Sequence, residues 1–293
     1  MSLLALTSLL WAFSFGLLAG PLDGVEPTFV AAVRLGLAAL VMLPFLPGAR
    51  VDRKHGLKLV LVGALQFGLM YELYIRSYGE LGAGQGHVVA LFTALIPLHV
   101  VLVEGAWKRQ IEHRALGGAV LALAGAAVLS WQAPSGSGIW RAFLLVQAAN
   151  LCFAAGQIAY RHLHARVPLD HKSAHALAFL GAAGVALPAC LIWGQPLETA
   201  RELDGAALAS LTYLGLVASG LGFLLWNRGA TRTRLGTLAV FNNVKAPLAV
   251  VVGLTVFGEV PRDPARLTAG TLLIAAGLAF TLVGRRPLTR PPR

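Results

Sequence analysis

The feature that most constrains this chain is a succession of apolar runs, each close to the roughly 20 residues that a helix needs to cross the hydrocarbon layer. Ten such runs can be cut: 3–20, 28–47, 57–78, 86–104, 114–131, 139–160, 174–193, 206–227, 237–257 and 267–284. A bilayer cannot satisfy stray backbone N–H and C=O groups, so each run is expected to be helical along its length. The connectors, such as 48–55 and 132–138, are short and rich in Gly, Pro and charge, and no soluble domain fits between the runs. Charged residues make up 13% of the 293 residues, against about a quarter in soluble domains. The expected fold is therefore an all-α integral membrane protein with ten transmembrane helices.

The first run has no Lys or Arg before Arg34, contains Trp11 and Phe13, and lacks a small-residue cleavage site, so it is expected to stay in the mature chain. Cys152 and Cys190 sit inside runs at a spacing that suggests neither metal, redox nor disulfide chemistry. They read as small packing residues, and no cofactor or metal is expected. The string Gly82-Ala83-Gly84-Gln85-Gly86 looks like a phosphate-binding loop, but it follows an apolar run rather than a strand and reads as a turn between helices.

The net charge of +11 would suit a nucleic-acid partner if the basic residues were clustered, and they alternate by connector instead. With both termini placed in the cytoplasm, seventeen of the 24 Lys and Arg fall inside and five outside, while Arg34 and Lys245 lie within runs. That is the positive-inside bias, which orients the chain in the bacterial inner membrane with cytoplasmic termini. It also removes the nucleic-acid reading, because a basic cytoplasmic tail over 286–293 is explained as an anchor facing anionic lipid.

An internal repeat supports a division into halves. Gly68, Arg76, Gly118 and Gly125 recur 152 residues later as Gly220, Arg228, Gly270 and Gly277, and Pro97 recurs as Pro247 after 150. The halves are 1–131 and 139–285. Five crossings per half is an odd number, so the two halves are expected to be inverted relative to each other, an arrangement used by transporters that bind their solute near the midplane. Pro97 and Pro247 fall in mid-run, where proline removes a backbone hydrogen bond and kinks a helix.

Charge at membrane depth costs at least about 2.5–3.5 kcal/mol per residue, so each such residue needs a partner, a cavity or a task. Arg34, Glu72 and Lys245 are the candidates. Glu72 is placed to pair with one cation, and the other is then left for an anionic ligand. The deep amides Gln66, Gln147, Asn150, Asn242 and Asn243 either bond between helices or bind solute, and the neighbourhood of Lys245 favours solute for Asn242 and Asn243. Among the aromatics Trp11, Phe15, Tyr71, Tyr74, Tyr160 and Trp226, the mid-run Trp11 is the preferred wall of an apolar pocket. Tyr160 and Trp226 fall near a run's end and read as interface anchors. His99 is mid-run and reads as a hydrogen-bonded core residue.

The chain resembles the drug/metabolite transporter superfamily, EamA-type, over essentially its whole length, and within it the bacterial biotin importers of the YigM type. The resemblance is carried by Leu10-Trp11-Ala12-Phe13-Ser14-Phe15, by Val33-Arg34-Leu35-Gly36-Leu37-Ala38-Ala39-Leu40 and by Leu144-Leu145-Val146-Gln147 with Asn150. It continues through Val217-Ala218-Ser219-Gly220-Leu221-Gly222, Trp226-Asn227 and Gly236-Thr237-Leu238 with Asn242-Asn243 and Pro247. It implies ten helices, cytoplasmic termini and solute movement without ATP hydrolysis.

The expected function is import of biotin or a related small carboxylate by alternating access, with Trp11, Arg34, Tyr71, Glu72, Asn150, Asn242, Asn243 and Lys245 at the substrate site. The nearest alternative is export of amino acids or other small metabolites. An intramembrane enzyme is disfavoured, because there is no HExxH, no nucleophile elbow, and no Asp in any run.

Overall fold

A computed structural model describes residues 1–47, 51–81, 86–130, 138–167, 170–256 and 263–283. Residues 48–50, 82–85, 131–137, 168–169, 257–262 and 284–293 and the Phe15 side chain lie outside the described residues, and with them the turn expected at Gly82 to Gln85 and the basic tail 286–293.

Among the described residues all regular structure is helical. The helices are α1 (Ser2–Ala19), α2 (Pro27–Met42), α3 (Arg53–Leu81), α4 (Gly86–Thr93), α5 (Ile96–Lys108) and α6 (His113–Ser130). They continue with α7 (Ile139–Arg166), α8 (His171–Trp193), α9 (Pro196–Glu202), α10 (Gly205–Thr231), α11 (Leu235–Val256) and α12 (Pro264–Leu282). Eight helical stretches are long and apolar enough to cross a membrane, and the apolar helices at Ser2–Leu18 and His113–Leu129 are shorter. The short α9 lies between the apolar runs 174–193 and 206–227, and Pro196 opens it where no N–H is needed.

Helix starts are set by acidic caps. The Glu26 carboxylate accepts from the Thr28 and Phe29 N–H groups, with Pro27 opening α2. Asp170, Asp204 and Asp263 do the same for α8, α10 and α12. Each cap satisfies N–H groups that have no partner within the helix, and the negative charge suits the positive end of the helix dipole.

Close packing is set by small residues. A Cβ on Gly125 would stand 2.5 Å from the Gly270 carbonyl oxygen, and one on Gly118 3.2 Å from that of Gly277, so α6 and α12 meet backbone to backbone. Without a hydrophobic drive between helices in lipid, such contact supplies the dispersion energy that holds them together. Two helices carry π-helical turns, α3 at Ala64–Leu69 and α10 at Tyr213–Leu221. These turns shift the register of the backbone hydrogen bonds and so redirect the side chains that follow.

Pro97 does not kink a continuous helix. The chain breaks at Ala94-Leu95 between α4 and α5, and Pro97 becomes the second residue of α5, where its missing N–H is harmless. Because the Leu98 N–H turns back to the Leu95 carbonyl, the Ala94 carbonyl is left over and accepts from Asn243 Nδ2 at 2.9 Å. The Phe92 carbonyl accepts from Asn150 Nδ2 at 3.1 Å and Gln147 Nε2 at 3.2 Å. Irregular backbone at membrane depth is tolerated when such partners exist. Pro247, by contrast, stays inside the unbroken α11.

Candidate functional site

A cavity with about 100 Å3 of water-accessible space opens inside the bundle. Along α1 its lining runs from Trp11 through Ser14 to Leu18, and along α3 from Met70 and Tyr71 to Tyr74, so it occupies the half of the bundle toward the C-terminal ends of these helices. Arg34 of α2, Thr93 and Ile96 at the helix break, Ala149, Asn150 and Phe153 of α7, Phe223 of α10 and Lys245 of α11 complete it.

Arg34 is 4% exposed. Its Nε donates to the Ser219 hydroxyl at 3.0 Å, and its guanidinium lies 4.7 Å from the centre of the Tyr71 ring. Lys245 Nζ stands 5.7 Å from the centre of the Trp11 ring. Among the described residues neither cation forms an ion pair, so two positive charges face one cavity with only a hydroxyl and ring faces to hold them. In a medium of effective dielectric near 20, an anion about 4 Å from either charge gains about 4 kcal/mol. Arg34 can grip a carboxylate through two parallel N–H bonds, whereas Lys245 acts as a point charge.

The walls are aromatic and fixed from behind. Trp11 Nε1 donates to the Ala218 carbonyl at 2.8 Å, a group within the π-helical stretch of α10, and Tyr213 Oη donates to the Leu10 carbonyl at 3.0 Å. The Trp11 ring centre lies 5.0 Å from that of Phe223 and 4.8 Å from that of Trp226. Phe67 continues the layer, 4.4 Å from Phe223 and 5.1 Å from Phe179. This apolar floor separates the cavity from the half of the bundle that holds the N-terminus of α1.

Of the residues expected at the site, the cavity gathers Trp11, Arg34, Tyr71, Asn150 and Lys245. Glu72, Asn242 and Asn243 are not among its lining residues. Glu72 is buried one turn from Arg76, 3.9 Å away, and holds neither Arg34 nor Lys245. The i,i+4 spacing of Glu72 and Arg76 on one helix was the available signal. Asn242 donates to the Leu238 carbonyl of its own helix, and Asn243 bridges the Ala94 and Ala122 carbonyls, so both serve packing here.

Trp226 and Tyr160 are fully buried rather than interfacial: Trp226 backs Trp11, and Tyr160 bonds to His171. His99 bonds to the Leu95 carbonyl. Sequence reading passed over Ser219, Phe153 and Phe223, whose direction depends on helix rotation and on the π turns.

A cavity that carries uncompensated cations inside a bundle of apolar helices is the construction of a multi-pass membrane carrier. The EamA-like transporter family model matches residues 1–131 and again 140–283. The chain belongs to that family, and it is a transporter and not an enzyme. It is 38% identical over 290 residues to a "Probable biotin transporter" of Pseudomonas aeruginosa, covering 98% of this chain and 99% of that one. To the "Biotin transporter" of Escherichia coli K12 it is 38% identical over 286 residues, covering 95% and 91%. A "Probable terminal-alkyne amino-acid exporter" of Streptantibioticus cattleyicolor is 28% identical over 98% of this chain and 94% of its own. A crystal structure with a TM-score of 0.77 and 19% identity, covering 97% of this chain and 98% of its own, shares the fold.

Proposed function

We propose that the chain imports biotin or a closely related small carboxylate across the bacterial inner membrane by alternating access. The observation that carries this is the cavity in which Arg34 and Lys245, one from each half of the sequence, face an aromatic enclosure without an acidic partner. Relatives named as biotin transporters at 38% identity over nearly the full length favour biotin among carboxylates. Arg34 takes the carboxylate directly. Lys245 sets the second charge and acts as a point charge. Trp11, Tyr71 and Phe223 enclose the apolar part of the solute, and the Asn150 amide lies at the cavity edge for a polar ring.

Alternating access rests on ten spans arranged as two inverted five-helix repeats, 1–131 and 139–285, with both termini in the cytoplasm. Four observations support that reading. The family model matches twice, once in each half. The π-helical turns Ala64–Leu69 and Tyr213–Leu221 fall in matching places. Adding the 152-residue shift to the contact of Gly118 with Gly277 gives Gly270 with Gly125, which is the other contact of the same seam. Gly68 packs on Ala182 and Val185 as Gly220 packs on Ala38 and Val41. Such exchange of partners is what a two-fold axis in the membrane plane produces.

The test is growth of a biotin auxotroph at limiting biotin, with and without the chain, paired with uptake of labelled biotin. Rescue with faster uptake is expected. The second reading, export of an amino-acid-like metabolite, is favoured by the exporter relative, and it predicts no rescue and lower retention of a preloaded solute.

A further inference from the structure

Beyond the aromatic floor lies a second polar group that solute binding leaves unused. It is built by Tyr160 and His164 of α7, His171 and His175 of α8, Asn227 of α10 and Gln66 of α3. The Tyr160 hydroxyl is 2.8 Å from His171 Nδ1, and the His171 and His164 rings stack with centres 4.3 Å apart. His175 Nδ1 lies 2.8 Å from the His171 carbonyl and its Nε2 lies 3.2 Å from Asn227 Nδ2. Asn227 in turn meets Gln66 in a reciprocal amide pair at 3.1 and 3.4 Å.

These contacts fix a protonation pattern. The carbonyl beside Nδ1 of His175 demands an N–H there, and the Asn227 amide N–H demands a lone pair on Nε2, so His175 sits as a neutral imidazole with an acceptor nitrogen. The Tyr160 hydroxyl and His171 Nδ1 share one hydrogen bond, in which the phenol donates when that nitrogen carries no proton. His164 Nδ1 is buried with no hydrogen-bond partner among the described residues. Three imidazoles are held together in this half of the bundle, His175 with an acceptor nitrogen and His164 with an unpartnered Nδ1.

One face of α7 runs from the cavity to this group. Asn150, Gln157 and His164 are spaced by seven on α7, which puts them on one face, two turns apart. Asn150 lines the cavity, and Gln157 between them is fully buried with neither amide atom paired. The charged surroundings are cationic on balance. Arg228 and Arg232 from α10 and its end lie within electrostatic reach of His171, and Asp170 at the start of α8 within reach of Tyr160 and His175. Lys172 is directed over the Phe45 ring, Arg161 Nη2 bonds to the Thr233 carbonyl, Glu104 of α5 is engaged by Lys108 and His162, and α3 contributes Gln66, with Arg53, Lys54, His55 and Lys58 in its first two turns. An anion entering the cavity adds negative charge to these cationic surroundings and so favours a proton among the imidazoles.

We propose that His164, His171 and His175 form the proton-accepting site of a carboxylate–proton symporter, linked to the cavity along the face of α7 that bears Gln157. One imidazole nitrogen takes a proton as the carboxylate enters, and the imidazolium releases it on the inner side as the solute leaves, so that the anion does not move alone. The proposal rests on the carboxylate-import reading, and its test separates the two.

Purified full-length protein in liposomes is given labelled biotin, first as exchange at equal pH on both sides, then under an inward proton gradient with a pH dye inside. The parent is expected to exchange biotin and, for one proton per solute, to accumulate it roughly tenfold across one pH unit, acidifying the lumen. His164→Gln and His171→Gln are expected to keep exchange and lose accumulation and acidification. The proposal is overturned if the parent exchanges biotin without responding to the gradient, or if both variants accumulate like the parent. It is equally overturned if both variants, and a conservative His171→Asn, lose exchange together with accumulation, which makes the cluster a packing element. A parent that exchanges no biotin at equal pH overturns the carboxylate reading, and the proposal falls with it.

Discussion

The cavity and the polar group beneath its floor are built from opposite materials. In the cavity, charge is present and partners are scarce: two cations are held by one hydroxyl and by ring faces. Beneath the floor polar side chains are bonded to one another, the Gln66 and Asn227 amides with His175 and Tyr160 with His171, while His164 Nδ1 and the Gln157 amide stay unpaired among the described residues. The difference teaches where function and stability are kept apart. A charge without a partner stabilises nothing until a ligand arrives, whereas removing one partner of a bonded pair such as Gln66 and Asn227 loses a hydrogen bond and leaves an orphan.

The sharpest way to break this comparison is to remove the charge. Arg34→Gln is expected to weaken biotin binding by roughly 10- to 100-fold, about 1.4–3 kcal/mol, the range of a charge-assisted hydrogen bond. The melting temperature in detergent is expected to stay within a few degrees of the parent. Lys245→Met is expected to weaken binding by roughly tenfold, since a point charge at longer range is lost rather than a bidentate grip. Titration with labelled biotin on monodisperse protein checks both. If each variant binds as the parent does and only its melting temperature falls, the cations are structural.

That Arg34 and Lys245 would face a cavity rather than lipid was legible, because charge in an apolar run has few innocent explanations. The apolar runs were legible from composition alone, but the run 86–104 is broken into α4 and α5, and α2, α3, α5, α7 and α10 each differ from a run end by four residues or more. Glu72 was misjudged, because burial drew attention to distant cations while Arg76, one turn away, was the nearer partner. The amides were misjudged for a subtler reason. Asn243 serves a carbonyl set free by the break before Pro97, and nothing in the sequence distinguishes a break there from a kink. The π turns leave no mark in composition, yet one of them presents the Ala218 carbonyl that fixes Trp11.

The complementary test removes a bond from the network while sparing the charges. Asn227→Ala leaves the Gln66 amide and His175 Nε2 without partners, and is expected to cost about 1–3 kcal/mol of stability. Thermal unfolding should shift down, while the biotin affinity of the folded fraction stays near the parent's. A large affinity loss at unchanged melting temperature would erase the distinction between the two regions. Trp11→Phe sits on the boundary between them. It keeps a ring against Phe223 and Trp226 and loses the bond to Ala218, so about 1 kcal/mol is expected in both stability and binding; an effect on only one of the two assigns Trp11 to that region alone.

The smallest expected effect is a pH dependence at the rim of the network, where Asp170 caps the helix that carries His171 and His175. Its carboxylate accepts from the Ser173 N–H at 2.9 Å and from the Ser173 hydroxyl at 3.0 Å. The backbone bond favours the ionised form and outweighs the opposing effect of partial burial, so the carboxyl is held below its ordinary value of 3.8. A group whose folded pKa is depressed binds fewer protons folded than unfolded. Its contribution is therefore complete above the unfolded value near 3.9 and is lost as pH falls through the lower folded value. Asp170→Asn keeps a capping oxygen and removes the titration, so its melting temperature at pH 7 is expected close to the parent's, with a shallower decline on acidification below pH 5. Asp170→Ala removes both and is expected to lose about 0.5–2 kcal/mol at pH 7. Thermal unfolding of the three proteins from pH 7 down to pH 3 decides it. If the parent and the Asn variant decline with the same slope, the acid sensitivity lies in other carboxylates and the cap acts through its geometry alone.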